Sequence, residues 1–394
     1  MAAGYYEFFC PVKVVSGHKA LEHAAYELSA LGSSRPMIVT DKGVRGAGLV
    51  DVVIAALETG GAKIAEIHDE VPPDSSTTVV TEIARAYRKS GADAIVAIGG
   101  GSVIDTAKAV NILVSEGGDD IRAYSGVNIV KHRLKPFFVL PTTSGTGSEV
   151  TSVSVVRDSE RGVKLPFMSQ FLLPDVAILD PRLTLGLPPY FTAATGMDAL
   201  THAVESFICL AKNPISDAYA SGAVKKIAAN LVKVLETPKD ADGRLELAQA
   251  ATMAGIAFSN SMVGLVHSLG HSVGAICHVP HGVCMSILLP FVLEHNLESR
   301  REAIGELLLP LAGADVYAKT PADKRAEEAI LRIRTLRERL FELAKLPRTL
   351  SETGKVERSQ LAAIAKLALD DGSILMNPVE VSYKDALAVL EKAF

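Results

Sequence analysis

A chain of 394 residues is long enough for two domains, because a single hydrophobic core rarely serves more than about 250–300 residues. Hydrophobic residues make up 48% and charged residues 22%, which is typical of a folded globular protein and excludes a disordered one. The net charge of -5 gives no general attraction to nucleic acid or to an anionic membrane.

The N-terminus has neither the basic region nor the apolar region of a signal peptide, and no later run is long and apolar enough to span a bilayer. We therefore expect a cytoplasmic protein that takes neither nucleic acid nor membrane as a partner. The four cysteines have no CxxC spacing and predict no disulfide framework.

The first half of the chain alternates short apolar runs with helical patterns. Strand, helix and strand in succession predict a parallel sheet covered on both faces, in a nucleotide-binding α/β domain. The helical patterns lie at residues 48–58 and 76–89. The predicted strands are residues 36–40, 62–67, 92–98, 136–140 and 176–179.

Beyond residue 188 the pattern changes to long helical stretches with few strand signals. A proline-rich segment at residues 180–189 predicts a hinge. We therefore expect a dinucleotide-binding α/β domain at residues 1–185 and an all-helical metal-binding domain at residues 186–394. The predicted helices of the second domain include residues 192–210, 215–235, 244–260, 267–277 and 286–293.

Two glycine-rich loops follow predicted strands. Gly99, Gly100, Gly101 and Ser102 open a predicted helix at residues 103–114, whose free N–H groups and dipole favour an anion such as a pyrophosphate. The second loop, residues 141–149, carries hydroxyl groups and glycines that suit either a nucleotide or a polar turn. Neither loop has the GxGxxG or Walker A pattern, so phosphoryl transfer is disfavoured.

Histidines recur at helical spacing in the second half. Asp198 and His202 are four residues apart, as are His267 and His271, and His281 follows a Val-Pro turn. Each pair leaves one face of one helix, so two helices can direct donors to one point. Neutral imidazoles with one carboxylate suit divalent iron or zinc and leave a coordination position open.

Seven collinear motifs resemble the iron-containing (group III) alcohol dehydrogenase family. They extend over almost the whole chain in the family's order. The motifs are IGGGSVIDTAKA (98–109), LPTTSGTGSEVT (140–151), ILDPRLTLGLP (178–188), TGMDALTHAVES (195–206), GLVHSLGHSVGA (264–275), PHGVCMSILLP (280–290) and DDGSILMNPVEVS (370–382).

The resemblance implies that Asp198, His202, His267 and His281 bind one divalent metal, Fe2+ with Zn2+ as the alternative. It places His271 beside the nicotinamide, where the imidazole is a candidate proton relay. The active site is expected in the cleft between the two domains.

The same resemblance assigns NAD to the first domain. Asp41 matches the position that meets the adenosine ribose, where a carboxylate favours NAD over NADP. Asp74 stands where relatives often have asparagine, so its contact with the cofactor is an open question. The implied cofactor-binding residues are Asp41, Asp74, Gly99, Gly100, Gly101, Ser102, Asp105, Thr142, Thr143, Ser148 and Lys164.

The implied activity is an NAD(H)-linked, metal-dependent interconversion of small primary alcohols or diols and aldehydes. Alternatives within the same fold are a polyol dehydrogenase, a maleylacetate reductase or a lyase resembling dehydroquinate synthase. A nucleotide- or metal-binding regulator without turnover is a further alternative. Relatives of this kind are commonly homodimers or larger homo-oligomers.

Overall fold

The computed structural model describes residues 5–394. They form two compact units, one of Cys10–Leu187 and one of residues 5–9 together with Pro188–Phe394. The N-terminal segment belongs to the second unit because Phe9 N donates to Asn260 Oδ1 over 2.7 Å and the Phe8 ring stacks on Tyr219. No helix in the described part of the chain has the length and apolar character needed to cross a membrane.

The first unit is an α/β unit. Its helices are α1 (Ala24–Ala30), α2 (Lys42–Gly46), α3 (Leu49–Thr59), α4 (Thr77–Ser90) and α5 (Gly101–Glu116). Its strands are β1 (Lys13–Ser16), β2 (Pro36–Val39), β3 (Glu66–His68), β4 (Ala94–Gly99), β5 (Gly126–Val127), β6 (Phe137–Pro141), β7 (Val153–Asp158), β8 (Val163–Met168) and β9 (Val176–Leu179).

Six of these strands form one parallel sheet in the order β1-β9-β6-β4-β2-β3. The central strands are buried on both faces, which explains their continuous apolar sequence. Side chains alternate between two cores, so that Met37 packs on one face and Ile38 on the other. The predicted fold class of this half is confirmed.

The sheet has its topological switch point between β2 and β4. From β2 the chain continues to β3 on one side, and it then returns to build β4, β6 and β9 on the other. Ligands of open α/β sheets bind outside the carboxyl ends of the strands at such a point. Thr40, directly after β2, donates its Oγ1 to Ile98 O in β4 over 2.7 Å and so joins the two strand ends.

A second, three-stranded sheet has the order β5-β8-β7, and none of its strands was predicted. Strand β7 alternates buried and exposed residues and β8 is largely exposed, so neither has the continuous apolar run that identifies the central strands. Strand β3 begins four residues later than predicted, at Glu66, because it is a partly exposed edge strand.

Among its described residues the second unit has helices and no strand. Helix α6 is almost wholly buried: α7, α8 and α10 pack around it, and α9 packs on α10, all in one hydrophobic core. The helices are α6 (Pro189–Ile208), α7 (Pro214–Glu236), α8 (Ala241–Ser259), α9 (Leu265–Cys277), α10 (His281–Glu306), α11 (Leu308–Ala312), α12 (Ala314–Lys319), α13 (Arg325–Ala344), α14 (Leu361–Ala368) and α15 (Tyr383–Ala393).

Candidate active site

Four predicted metal ligands meet inside the helical unit. Asp198 and His202 lie on α6, His267 lies on α9, and His281 is the first residue of α10. One donor atom from each lies within 4.8 Å of the other three. His281 Nε2 is 3.2 Å from Asp198 Oδ1, although the two residues belong to different helices.

Glycines bring these helices close enough for the donors to meet. A Cβ atom at Gly282, next to His281, would lie 2.3 Å from the backbone oxygen of Ala194 on α6. A Cβ atom at Gly270 on α9 would lie 2.0 Å from Met285 Cε on α10. Both distances are shorter than any van der Waals contact, so a larger residue at Gly282 would push α10 away from the α6 backbone, and one at Gly270 would displace the Met285 side chain.

The buried donors His202, His267 and Asp198 are in the protonation states that a metal ion requires of its ligands. Burial lowers the pKa of His202 to about 3 and that of His267 well below its usual value, so both imidazoles are neutral at physiological pH. Burial alone would raise the pKa of Asp198, but the neighbouring His202 and His281 outweigh it and keep this carboxyl below its usual range. Two neutral imidazoles and one carboxylate therefore present lone pairs to the point at which a nitrogen of His281 also lies.

Two ring nitrogens at this point lack a hydrogen-bond partner. His267 Nε2 and His202 Nδ1 are both buried and unpaired. An unsatisfied buried polar atom costs about 1–3 kcal/mol, and coordination to a divalent ion would remove that cost. The residues present therefore fit one bound iron or zinc ion.

Glu205, which our sequence analysis did not single out, orients His267. Its Oε2 accepts from His267 Nδ1 over 2.5 Å, and its Oε1 accepts from the backbone N–H of Val266 over 2.7 Å. With Nδ1 engaged, Nε2 is the nitrogen that faces the other donors. A sequence signal was available, because Glu205 follows His202 by one helical turn on α6.

His271 lies beside the donors, outside the group of four. Its ring stacks on that of His281 with centroids 5.3 Å apart, and its side chain is 46% exposed. Nδ1 is 2.8 Å from Oδ2 of Asp371, which sequence reasoning also missed. Burial opposes ionisation of Asp371, but the hydrogen bond from His271 outweighs it and holds the pKa of this carboxyl below its usual range. His271 is thus an accessible imidazole held in one orientation by a carboxylate.

An aromatic side chain completes the surroundings of the donors. Phe258, near the end of α8, stacks on the His202 ring with centroids 4.3 Å apart. This stacking places the Phe258 ring beside the cluster, and the side chain is only partly buried.

In the α/β unit, the first glycine-rich loop connects β4 to α5. Gly99 is the last residue of β4, Gly100 is the N-cap of α5, and Gly101 is its first residue. A Cβ atom at Gly101 would lie 2.8 Å from the Thr146 side chain of the second loop. The glycines therefore let the two loops approach each other at the positive end of a 16-residue helix.

The second loop lies directly beside the first. Strand pairing places Pro141 opposite Gly99, and Thr142 N donates to Gly99 O over 3.1 Å. Thr143 Oγ1 is the atom nearest to a Cβ at Gly100, at 3.3 Å. Ser148 begins a short 3-10 helix at the end of this loop. Thr142, Thr143 and the three glycines are therefore brought together.

Asp105 is the fifth residue of α5, one turn after the first glycine-rich loop. Its Oδ2 accepts from the backbone N–H of Val155 over 3.1 Å. Burial raises the pKa of Asp105, and the positive charge of Lys108 opposes that shift. Lys108 is itself fully buried, and burial lowers its pKa to about 8.

Two charged candidates, Asp41 and Asp74, lie at the neighbouring strand ends. Asp41 follows β2 and caps α2, with Oδ1 accepting from Val44 N over 2.9 Å. Asp74, in the loop after β3, is 3.5 Å from Lys164 Nζ. Ser102 on α5 donates to Pro73 O in that same loop. The predicted cofactor residues thus surround the carboxyl ends of β2, β3, β4 and β6, where loops and helix termini fit an elongated anion.

Two family models match the chain over nearly its whole length. The first, iron-containing alcohol dehydrogenase, matches residues 11–181, and the second, the C-terminal part of the Fe-containing alcohol dehydrogenase family, matches residues 192–394. The chain belongs to the iron-containing alcohol dehydrogenase family. This confirms the family predicted from the seven motifs.

Individual members of the iron-containing alcohol dehydrogenase family are similar along their full length. The chain is 36% identical to an NAD-dependent methanol dehydrogenase of Bacillus methanolicus, covering 98% of this chain and 99% of that protein. It is 34% identical to a 1,3-propanediol dehydrogenase of Klebsiella pneumoniae, over 100% of both. A crystal structure of a 1,3-propanediol oxidoreductase superimposes with a TM-score of 0.94 at 33% identity, covering 99% of this chain and 100% of that one.

The protein is therefore an oxidoreductase of the alcohol dehydrogenase class, as predicted. The alternative reading as a lyase resembling dehydroquinate synthase is not favoured by these relatives. The individual assignments of metal and cofactor residues stay predictions, and the geometry described above is the basis on which we propose them.

Proposed function

We propose that the protein interconverts small primary alcohols or diols and aldehydes by hydride transfer, using NAD and one divalent metal ion. The observation that carries the proposal is the cluster of three imidazoles and one carboxylate, in which two buried ring nitrogens, His202 Nδ1 and His267 Nε2, have no hydrogen-bond partner. The relatives that act on methanol and 1,3-propanediol support short alcohols as the substrate class.

Asp198, His202, His267 and His281 would hold the metal. Iron is our first choice because of the family, and zinc is the alternative because the usual order of affinities places it above ferrous iron at a site of this kind. When both groups are bound, the ion supplies a Lewis acid for the alcohol or aldehyde oxygen and NAD supplies the hydride acceptor or donor.

The protein's own contribution begins with orientation. Glu205 holds the tautomer of His267 that leaves Nε2 free for coordination. His271 is the candidate to take the alcohol proton to solvent, because it is exposed, adjacent to the donors and fixed by Asp371. Histidine is the side chain that most often acts as a general acid or base, which suits this task.

NAD would bind at the carboxyl ends of β2, β3, β4 and β6. The N-terminus of α5 offers backbone N–H groups to the diphosphate, and Thr142, Thr143 and Ser148 offer hydroxyl groups. The carboxylate of Asp41 would accept hydrogen bonds from ribose hydroxyls and repel a 2′-phosphate, which favours NAD over NADP.

The proposed assembly rests on the family, and the proposed compartment restates the expectation from the sequence. We expect a homodimer or a larger homo-oligomer in the cytoplasm, with small-molecule substrates as its only ligands besides the cofactor and the metal. Sedimentation of the purified protein would test the first expectation.

The proposal is tested by removing the metal and reloading the protein anaerobically with ferrous iron or with zinc. We expect formation of NADH from short alcohols and diols to return only with metal, and the comparison shows which ion supports the reaction better. His267→Ala should retain neither metal nor turnover. His295→Ala, which changes a half-buried histidine of the same unit outside the cluster, should retain both. Wild-type metal content in His267→Ala would refute the ligand assignment.

A further inference from the structure

The loop after β3 reaches the first turn of α5. Ser102 Oγ donates to Pro73 O over 2.5 Å, and Thr106 Oγ1 donates to Ser75 Oγ over 2.5 Å. Asp74 lies between these two anchored residues. The backbone of Asp74 is therefore held beside the start of α5, which is the helix end at which we place the diphosphate of the cofactor.

Asp74 is paired with two cations of the second sheet. Its Oδ2 is 3.5 Å from Arg157 Nη1 and its Oδ1 is 3.5 Å from Lys164 Nζ. Arg157 and Lys164 are directly opposite each other on β7 and β8. Like charges at opposed positions repel, so the carboxylate that bridges them offsets this repulsion.

One contact and one electrostatic effect relate this group to α5. Arg157 N donates to Ser75 O over 2.8 Å, which fixes β7 against the loop that contains Asp74. Burial raises the pKa of Asp105 on α5, and the charges of Lys108 and, more weakly, Lys164 oppose this shift. The ammonium group of Lys164 is thus close enough to the start of α5 to act on a charge there.

We propose that Asp74 determines how tightly the protein holds its dinucleotide, by competing with the diphosphate of the cofactor for Lys164 and Arg157. The inference rests on the proposed function, since it assumes that NAD binds at the N-terminus of α5. Asp74 weakens binding in two ways: it repels the diphosphate, and it partly neutralises the two cations nearest to it.

The expected effect is moderate because the three side chains are about half exposed, at 50% for Asp74, 46% for Arg157 and 60% for Lys164. Exposed charge pairs are worth little individually and are screened by salt. Replacing Asp74 by asparagine should therefore tighten NADH binding about two- to fivefold at low ionic strength.

The chain offers a matched control. Asp119 is also a half-exposed aspartate between two cations, at 2.7 Å from Arg88 and 3.5 Å from Arg85. It lies just beyond the C-terminal end of α5, so it is distant from the first turn of that helix. Asp119→Asn removes the same charge from the same unit without touching the proposed site.

The experiment is a fluorescence titration of the metal-loaded protein with NADH at low and at high salt. We expect Asp74→Asn to lower Kd about two- to fivefold at low salt and by less at high salt. Asp119→Asn and the charge-conserving Asp74→Glu should stay near the wild type. In a Lys164→Met background, Asp74→Asn should have a smaller effect, because one of the cations for which it competes is gone.

An unchanged or higher Kd in Asp74→Asn, with Asp119→Asn still at the wild-type value, would overturn the inference and leave the proposed function standing. An equal decrease in both variants would also overturn it, because the effect would then reflect net charge alone. If the wild type binds no NADH at all, the proposed function fails and the inference fails with it.

Discussion

Replacing Glu205 by glutamine tests how the metal site is held in place. In the wild type both carboxylate oxygens are used, one by His267 Nδ1 at 2.5 Å and one by Val266 N at 2.7 Å. A glutamine has one oxygen and one NH2 group. If its oxygen accepts from His267, its NH2 group faces the N–H of Val266. If its NH2 group donates to Nδ1, then Nε2 carries the proton and cannot coordinate a metal.

The loss can be estimated from the hydrogen bond that is removed. A buried hydrogen bond to a charged group contributes about 1.5–3 kcal/mol. Changes to residues that orient a metal-bound histidine typically cost 10–100-fold in affinity, about the same free energy. We therefore expect Glu205→Gln to lower metal affinity about 10- to 100-fold while the four ligands remain.

The assay is competition for the metal with a chelator of known affinity, at about pH 8. Burial raises the pKa of Glu205 to about 7, so the wild-type carboxylate is largely ionised under these conditions even without metal. Glu27→Gln, which changes a buried glutamate of the α/β unit, is the control and should leave metal affinity unchanged. Thermal unfolding shows whether each variant is folded. Wild-type affinity in a folded Glu205→Gln protein would refute the orienting role.

Three further predictions address the cofactor, the proton relay and the fold. Asp41→Gly should raise the ratio of kcat/KM for NADP to that for NAD about tenfold or more, because the repelling carboxylate is gone; an unchanged ratio would disprove its role. Asp371→Asn should lower kcat at least about tenfold and leave metal content unchanged, because His271 loses its fixed orientation; parallel losses of metal and activity would contradict this. Asp158 accepts hydrogen bonds from Arg122, which lower its pKa to about 2 from 3.8. Its stabilising effect is therefore complete above pH 3.8 and is lost as the pH falls towards 2, so Asp158→Asn should lower the Tm by several degrees at pH 7 and by progressively less below pH 3.8. A constant difference in Tm across this range would refute the assignment.

Much of the architecture follows from local sequence. The central strands β2, β4, β6 and β9 are predicted because a strand buried on both faces must be apolar throughout, and this needs no knowledge of its neighbours. The start of α5 is predicted because three successive glycines after an apolar strand are costly unless the backbone there has a special task. The spacing of four within each polar pair, Asp198 with His202 and His267 with His271, already places each pair on one helix face.

Strands β7 and β8 show where local sequence is insufficient. Their charged residues are compatible with an exposed loop, and only pairing between the two strands makes them a hairpin. The same pairing places Arg157 opposite Lys164 and both beside Asp74. No spacing rule relates Asp74 to either cation, because the contact depends on how β7 packs against the loop after β3.

Some features of the metal site were also predictable from the sequence, and others were not. From the sequence alone came the donor types, their helical spacing and the family, because these depend on residue identity and on the geometry of a single helix. Only the tertiary structure shows that His281 contacts Asp198. It also shows that the Glu205 carboxylate hydrogen-bonds to His267 Nδ1 and that the Asp371 carboxylate hydrogen-bonds to His271 Nδ1. These contacts join residues that are distant in the chain, and they depend on close helix packing at Gly270 and Gly282. Because that packing sets the side-chain directions, no single segment of the sequence predicts them.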